Sequence, residues 1–172
     1  MDTTENISEN MTFSKTRNMV KLLVCIIIPQ IAGLISSYFS LPSLTTWYEV
    51  LWKPSFTLPA WVFSPVWTWL YLMMGVSAYF VLRKPLGRWD VRLALFAFLV
   101  QLVLNVLWSF FFFGMASPVY GLIDIGGLWV CILVTIIFFS KVSRRSGLLL
   151  IPYLIWVSYI AILNIFIWQM NR

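Results

Sequence analysis

The sequence predicts an all-α membrane protein, a five-transmembrane-helix bundle with a cytoplasmic N-terminus and an exterior C-terminus. Of its 172 residues, 61% are hydrophobic and 10% are charged, whereas a soluble domain carries about 25% charged residues. Five apolar stretches reach the length of about 20 residues that a helix needs to cross the hydrocarbon core of a bilayer. Lysine and arginine collect on one side of these stretches, and this asymmetry indicates which way the helices run.

The chain divides into a short tail and one membrane domain. Residues 1–16 are polar and are predicted to be a disordered tail, and residues 17–172 are predicted to form a single five-helix domain. The predicted spans are residues 18–39, 61–82, 93–114, 119–140 and 148–170.

The connections between the spans contain Pro, Gly, Ser and Arg, which interrupt membrane helices. Most of them are too short to join anything but antiparallel neighbours. The first connection, residues 40–60, is the exception, because it is long and rich in aromatic residues and proline. The other breaks lie at residues 84–87, 117–118 and 144–147, and residues 41–43 end the first span.

The basic residues predict the topology. All but two of the 12 lysines and arginines fall on one side of the predicted spans, which the positive-inside rule makes cytoplasmic. The two exceptions are Lys53 and Arg172. The net charge of +6 is therefore a topology signal, and no nucleic-acid partner is expected. The tail lacks the Arg-rich amphipathic pattern of mitochondrial import, which favours a bacterial cytoplasmic membrane.

Composition also excludes several kinds of catalytic site. The chain has no histidine, so it has no Ser-His-Asp triad and no histidine-ligated zinc or haem. Cys25 and Cys131 stand alone in apolar runs and are interpreted as small buried residues rather than a redox pair. We predict no metal site, no required cofactor and no acid–base pair for catalysis.

Tryptophan and polar residues within the spans lie mainly in the predicted exterior half. An ordinary aromatic belt decorates both faces of a membrane, so a one-sided excess indicates a cavity near the exterior. The alternative, a lipid-facing anchor, applies most to Trp69, Trp129 and Trp168. The tryptophans in the exterior half or the first loop are Trp47, Trp52, Trp61, Trp67, Trp69, Trp108 and Trp168.

Helical spacing arranges many of these side chains in three stripes. A polar-aromatic stripe on a membrane helix faces the bundle, because an unpaired amide in hydrocarbon costs free energy. Three such stripes at similar depth predict a lined pocket, with interhelical packing alone as the alternative. The stripes are Trp67, Tyr71, Met74 and Ala78; Gln101, Asn105, Trp108 and Ser109; and Tyr153, Trp156, Ile160 and Asn164.

Asp124 is a carboxylate inside the fourth span, roughly 8 Å from its exterior end at 1.5 Å per residue. An acid within the membrane is a candidate functional group. The alternative is a structural role, in which it binds loop amides or a neighbouring helix.

Longer motifs make the chain recognisable. The first loop and second span contain Trp47-Tyr48-x-x-Leu51-x-Lys53-Pro54 and Pro59-x-Trp61-x-Phe63-x-Pro65-Val66-Trp67-Thr68. Gln101-Leu102-x-Leu104-Asn105-x-x-Trp108-Ser109 follows in the third span, Asp124 in the fourth, and Pro152-Tyr153-Leu154-x-Trp156 with Leu163-Asn164 in the fifth. Over about residues 29–171 the chain resembles the TspO/MBR family, also called tryptophan-rich sensory proteins, translocator proteins or peripheral-type benzodiazepine receptors.

The resemblance implies a fold, a ligand and a set of site residues. Members have five helices, are frequently dimeric, and bind tetrapyrroles such as protoporphyrin IX under the first exterior loop. Tyr120 stands where some members have tryptophan. Ile160 occupies a position where small residues are common, and its larger side chain is expected to narrow the pocket. The predicted ligand-binding residues are Trp47, Lys53, Trp61, Trp67, Tyr71, Asn105, Trp108, Tyr120, Asp124, Trp156, Ile160 and Asn164.

Two positions depart from the family pattern. Leu58 replaces the first proline of a frequent Pro-Pro pair before Trp61, which implies a less rigid loop. Phe166 and Arg172 match poorly the sterol motif of animal members, a weak motif in any case, so sterol binding of that type is not expected.

The sequence is compatible with three functions. We expect a receptor or sensor in which a porphyrin stacks on Trp67, Trp108 and Trp156 while Lys53 or polar loop groups meet its propionates. The resemblance also allows light-dependent porphyrin degradation, with Trp67 and Trp156 as the catalytic electron or radical partners. Transport of porphyrin or a lipid-like compound is the third, although five helices without an inverted repeat match alternating-access carriers poorly.

Overall fold

The computed structural model contains five long helices. It describes residues 2–172 and the side chains of residues 15–172. Each long helix contains a segment long and apolar enough to span a membrane, as the sequence predicts. Within the described residues there is no β-strand. The helices are α1 (Asp2–Leu44), α2 (Trp47–Val50), α3 (Ala60–Leu82), α4 (Trp89–Ser109, continued by a π-helical turn over Phe110–Gly114), α5 (Pro118–Val142), α6 (Arg144–Leu149) and α7 (Ile151–Met170).

The predicted spans are confirmed, with corrections at their ends. The first helix continues through Pro42, the third residue from its end, and ends at Leu44. The predicted break at residues 144–147 is a helical turn, α6. The predicted disordered tail falls almost entirely on residues whose side chains lie outside the described part, so it stays a prediction.

The helices form a ring around an aromatic core. Helix α1 packs against α3 and α4, while α5 packs against α4 and α7. Aromatic rings close the ring of helices between α3 and α7: the centroids of Phe63 and Trp156 lie 5.7 Å apart, and those of Trp67 and Tyr153 lie 6.2 Å apart. Large side chains therefore occupy the bundle centre at this junction.

Gly75 brings α1 and α3 together. A Cβ atom built on Gly75 would lie 2.7 Å from the carbonyl oxygen of Cys25 and 2.7 Å from the Cα of Ile26. Small residues permit this close backbone approach between membrane helices. The contact holds the middle of α1 against α3, below the point where the two helices leave space between them.

A π-helical turn ends α4. The backbone N–H of Met115 donates to the carbonyl oxygen of Phe110 over 2.8 Å, the wider i→i+5 spacing of this rare turn. Phe112 and Phe113 in the turn are both buried, and Trp108 stacks on Phe112 with centroids 5.3 Å apart. The turn therefore adds two phenylalanine rings to the core at one end of the bundle.

Residues 45–59, here called the cap segment, run across that same end of the bundle. Its backbone is held by α7 and the residue after it: Trp52 N donates to Asn171 Oδ1 over 3.0 Å, and Asn171 Nδ2 donates to Trp52 O over 2.9 Å. Further along, Leu58 N donates to the Tyr159 hydroxyl over 3.1 Å. The cap segment is thus fastened to α7 although it connects α1 with α3.

Candidate functional site

A cavity of about 170 Å³ lies between α1 and α3 under the cap segment. We call it the main cavity. One wall carries aromatic rings and the other carries hydroxyl groups, so the cavity can hold an apolar molecule and also bind its polar edge. The residues lining it from the cap segment, α3, α4 and the π turn include Tyr48, Phe63, Trp67, Tyr71, Trp108 and Phe113.

The α1 wall is a face of serines. Ser36, Ser37 and Ser40 all line the main cavity. Ser37 and Ser40 donate to carbonyl oxygens one turn back in α1, at 2.9 and 3.1 Å, which lets a hydroxyl lie in an apolar span. Ser36 Oγ is buried and has no hydrogen-bond partner among the described residues.

The α3 wall is a pair of stacked rings. Trp67 and Tyr71 lie with centroids 5.5 Å apart and planes at 27°. Gly33 of α1 makes room for Tyr71, because a Cβ at Gly33 would lie 2.5 Å from the tyrosine ring. Both stacked residues are in the predicted site.

A buried hydrogen-bond chain fixes the base of this wall. The Tyr71 hydroxyl donates to Asn105 Oδ1 over 2.5 Å, and Asn105 Nδ2 donates to the Tyr153 hydroxyl over 3.0 Å. Asn105, also a predicted site residue, does not line the main cavity; it links α3, α4 and α7 and fixes the orientation of Tyr71.

Trp108 separates the main cavity from a second, much smaller one. This inner cavity has a volume of about 20 Å³, and Ile160 and Asn164 line its far side. Three of the predicted residues thus surround it. A bulky isoleucine at position 160 contributes to its small size.

The structure places four predicted residues away from both cavities. Trp61 and Tyr120 are exposed on the outside of the bundle, at 74% and 51%. Trp47 packs edge-on against Phe112 with centroids 5.5 Å apart, and lines neither cavity. Lys53 also points elsewhere: its Nζ donates to the carbonyl oxygens of Glu49 and Leu51 at 3.0 and 3.2 Å.

Lys53 helps to keep Tyr48 covered. Its Nζ lies 4.8 Å from the centre of the Tyr48 ring, a cation–π contact. Burial, together with the nearby Tyr159, raises the pKa of Tyr48 to about 12. The lysine therefore stabilises the cap segment rather than offering a free charge to a ligand.

Trp156, which is half-buried, and Asp124, which is buried, lie behind the cavities. Phe63 stands between Trp156 and the main cavity, and the indole Nε1 of Trp156 has no partner in the described part of the chain. Asp124 is 8% exposed, and its Oδ2 is likewise unpaired there. Neither lines either of the two cavities.

The three predicted stripes face the bundle, as their burial shows, but they do not enclose one hollow. Aromatic rings fill the space between them, and the main cavity opens instead beside the serine face of α1. Sequence reasoning missed that face because serines in an apolar helix commonly bond their own backbone. The available signal was the position of Ser36, Ser37 and Ser40 in the exterior half of the first span, with Gly33 one turn before Ser37.

Residues 25–169 match the model of the TspO/MBR family. The chain belongs to this family. It is 41% identical to the tryptophan-rich protein TspO of Chlorobaculum tepidum, over 90% of this chain and 98% of that protein. It is 38% identical to the Archaeoglobus fulgidus protein of the same name, over 90% and 99%. With the translocator protein of Sus scrofa it shares 35% identity over 85% of this chain and 87% of the relative.

Family membership and the five apolar helices together identify a multi-pass membrane protein. Its surroundings are a lipid bilayer, which explains the many large apolar side chains exposed on the outside of the helices. In a bilayer these side chains contact acyl chains, so the helices that line the main cavity are surrounded by lipid on their outer faces.

Proposed function

We propose that this protein is a membrane receptor of the sensor type that binds a tetrapyrrole, such as protoporphyrin IX, in the main cavity. The observation that carries the proposal is the pairing of an aromatic wall, Trp67 stacked on Tyr71, with the serine face of α1. A flat conjugated ring system gains from stacking on such a wall. The relative from Cereibacter sphaeroides is named a tryptophan-rich sensory protein, which supports a receptor role.

The size of the cavity determines how such a ligand binds. Pockets that enclose a drug-sized molecule have volumes of roughly 300–1,000 Å³, and the main cavity has about 170 Å³. A tetrapyrrole therefore inserts one edge beside Trp67, or the cap segment moves to admit more of it. The hydrogen bonds of Asn171 and Tyr159 to the cap segment are the contacts that such a movement breaks.

A titration of protoporphyrin IX, followed by the shift of its Soret band, tests the proposal in detergent. Trp67→Phe should weaken binding about 2- to 13-fold, because losing part of an aromatic contact costs about 0.5–1.5 kcal/mol. Trp69→Phe is the matched control: it lies on the same helix and is 61% exposed on the outside. Non-saturable binding of protoporphyrin IX to the wild type, or an equal loss of affinity in the two variants, would refute the proposal.

Illumination separates binding from turnover. Stacked Trp67 and Tyr71, with Tyr153 6.2 Å from Trp67, form a series of oxidisable rings beside the proposed ligand. If the protein degrades porphyrin in light, the Soret band of the complex decays under illumination and not in darkness. A decay that Trp67→Phe leaves unchanged would exclude this tryptophan as the electron partner.

We further infer that the N-terminus is cytoplasmic and that the protein resides in a bacterial cytoplasmic membrane, as the basic residues and the tail indicate. The cap segment and the main cavity then lie on the exterior side. Labelling of a single cysteine introduced at Ser55, which is exposed in the cap segment, by an impermeant thiol reagent on intact cells tests this. A homodimer, which the family resemblance implies, stays a prediction.

A further inference from the structure

Ten of the 12 lysines and arginines lie at the end of the bundle opposite the cap segment. The contact between α1 and α3 shows how two of them come together. Gly75 of α3 packs against Cys25 of α1. Arg17 precedes Cys25 by eight residues and Arg83 follows Gly75 by eight, which is about 12 Å along each helix. The two arginines therefore lie at the same level on neighbouring antiparallel helices.

Helix α6 adds two further arginines at this end. The Ser77 hydroxyl of α3 donates to the carbonyl oxygen of Ser146 over 2.8 Å, so α6 packs against the last two turns of α3. Arg144 and Arg145 directly precede Ser146 and are exposed. We call the exposed cations of α1, α6 and the end of α3 the basic surface. It consists of Lys15, Arg17, Arg83, Lys84, Arg144 and Arg145.

The charge of the basic surface is hardly offset by acids of the protein. None of its six residues forms an ion pair with a described residue. Among residues 15–172, Asp90 is the only acid at this end, and it already pairs with Arg88 over 2.7 Å. Even if the three acids of residues 1–14 are added, cations outnumber acids at this end by ten to four. The surface therefore attracts anions from outside the protein.

Exposed apolar side chains beside these cations indicate which anion fits. Leu86, Trp89 and Leu148 are 51%, 70% and 54% exposed, and each lies within five residues of the basic surface. The guanidinium of Arg83 lies 5.8 Å from the centre of the Tyr79 ring, as expected of a cation at the end of a membrane span. A phospholipid brings a phosphate to the cations and acyl chains to the apolar groups, whereas a free anion or a nucleic acid pairs with the cations alone.

We propose that the basic surface binds the headgroup of an anionic phospholipid, such as phosphatidylglycerol. The phosphate of a zwitterionic lipid is accompanied by its own ammonium group, so that lipid gains less from these cations. Each lysine or arginine near an anionic headgroup contributes about 1 kcal/mol, which is about 5-fold in affinity. The inference is independent of the proposed function, because no residue of the basic surface lines either cavity. It also goes beyond the topology signal, since the folded protein must retain the lipid.

Native mass spectrometry tests this by counting the lipids bound to the protein in micelles that contain equal amounts of phosphatidylglycerol and phosphatidylcholine. Phosphatidylglycerol should bind to the wild type at least about 5-fold more tightly than phosphatidylcholine. Arg144→Gln combined with Arg145→Gln should lower this ratio of affinities about 5-fold or more. Arg144→Lys combined with Arg145→Lys should keep the ratio within about 2-fold of the wild type, because the charge attracts the headgroup.

Lys53→Gln combined with Arg172→Gln is the matched control, because it removes the same charge from the cap end of the bundle and should leave the ratio unchanged. If thermal unfolding shows that the double glutamine variant of α6 does not fold, Arg83→Gln with Lys84→Gln takes its place. Equal affinities of the two lipids for the wild type, or an equal loss in the control, overturn the proposal. It is also overturned if sodium phosphate displaces phosphatidylglycerol and sodium chloride of the same ionic strength does not, since the surface then binds a free anion.

Discussion

Replacing Gly75 by alanine tests whether the close approach of α1 and α3 stabilises the fold. The added Cβ would lie 2.7 Å from the Cys25 carbonyl oxygen and the Ile26 Cα. Ordinary van der Waals contact begins at 3.4 Å, so the backbones must separate by about 0.7 Å. Both obstructing atoms belong to the backbone, and no side-chain rotation can relieve the clash.

The expected loss follows from two opposing terms. Overpacking of this kind costs about 1–3 kcal/mol, whereas exchanging glycine for alanine inside a helix gains up to about 1 kcal/mol. Because the clash is with backbone, we place it at the upper end and expect Gly75→Ala to lower the unfolding free energy by about 1–2 kcal/mol. At about 2–4 °C per kcal/mol for a chain of this size, the melting temperature should fall by about 2–8 °C.

Thermal unfolding in detergent, followed by tryptophan fluorescence, measures this shift. Gly126→Ala is the matched control, because a Cβ at Gly126 meets nothing within 4 Å and only the helix-propensity gain remains. Its melting temperature should stay the same or rise. If Gly75→Ala is as stable as Gly126→Ala, the inferred tight contact between α1 and α3 is wrong.

Three further predictions concern two sets of hydrogen bonds around the cavities and the titration of Tyr48. Asn105→Leu removes the bonds of Asn105 to the buried hydroxyls of Tyr71 and Tyr153 and should lower the unfolding free energy by about 2–4 kcal/mol. Thermal unfolding followed by tryptophan fluorescence measures this loss. An unfolding free energy within about 0.5 kcal/mol of the wild type would contradict the prediction. Asn171→Ala removes two bonds to the cap segment and should speed hydrogen exchange of residues 45–59 about 5- to 30-fold, with exchange in α4 unchanged. The pKa of Tyr48 is about 12 in the folded protein and near 10 in the unfolded chain. Between these pH values the unfolded chain binds fewer protons than the folded protein, so the unfolding free energy falls as the pH rises. The unfolding free energy of Tyr48→Phe should fall less than that of the wild type over this pH range.

The spans were predictable because the bilayer imposes a length and a composition that single stretches of sequence satisfy. The ends were less so. A proline normally stops a helix, yet α1 contains Pro29 in its interior and continues for two residues past Pro42. The π turn at residues 110–114 has no comparable sequence signal, and it decides where Phe112 and Phe113 lie.

The site was predictable only in part, for a different reason. Helical spacing tells which face of α3 or α4 is buried, and Trp67, Tyr71 and Trp108 do line a cavity. Spacing does not tell whether facing stripes leave room between them or fill it. Here Phe63 separates Trp156 from the main cavity, and the free volume lies beside the serines of α1. Serine is a weaker signal of a binding site in an apolar span than an amide or indole side chain, so the sequence did not single out this face.

The position of the main cavity also bears on how a ligand arrives. Leu34 and Leu41 line it and yet are 71% and 59% exposed on α1, the least buried of the five spans. The rim of the cavity therefore borders the acyl chains, and the proposed tetrapyrrole, dissolved in the bilayer, would reach it without passing through water. Occupancy then follows the mole fraction of pigment in the lipid or micelle, so doubling the detergent at constant total pigment should halve the apparent affinity.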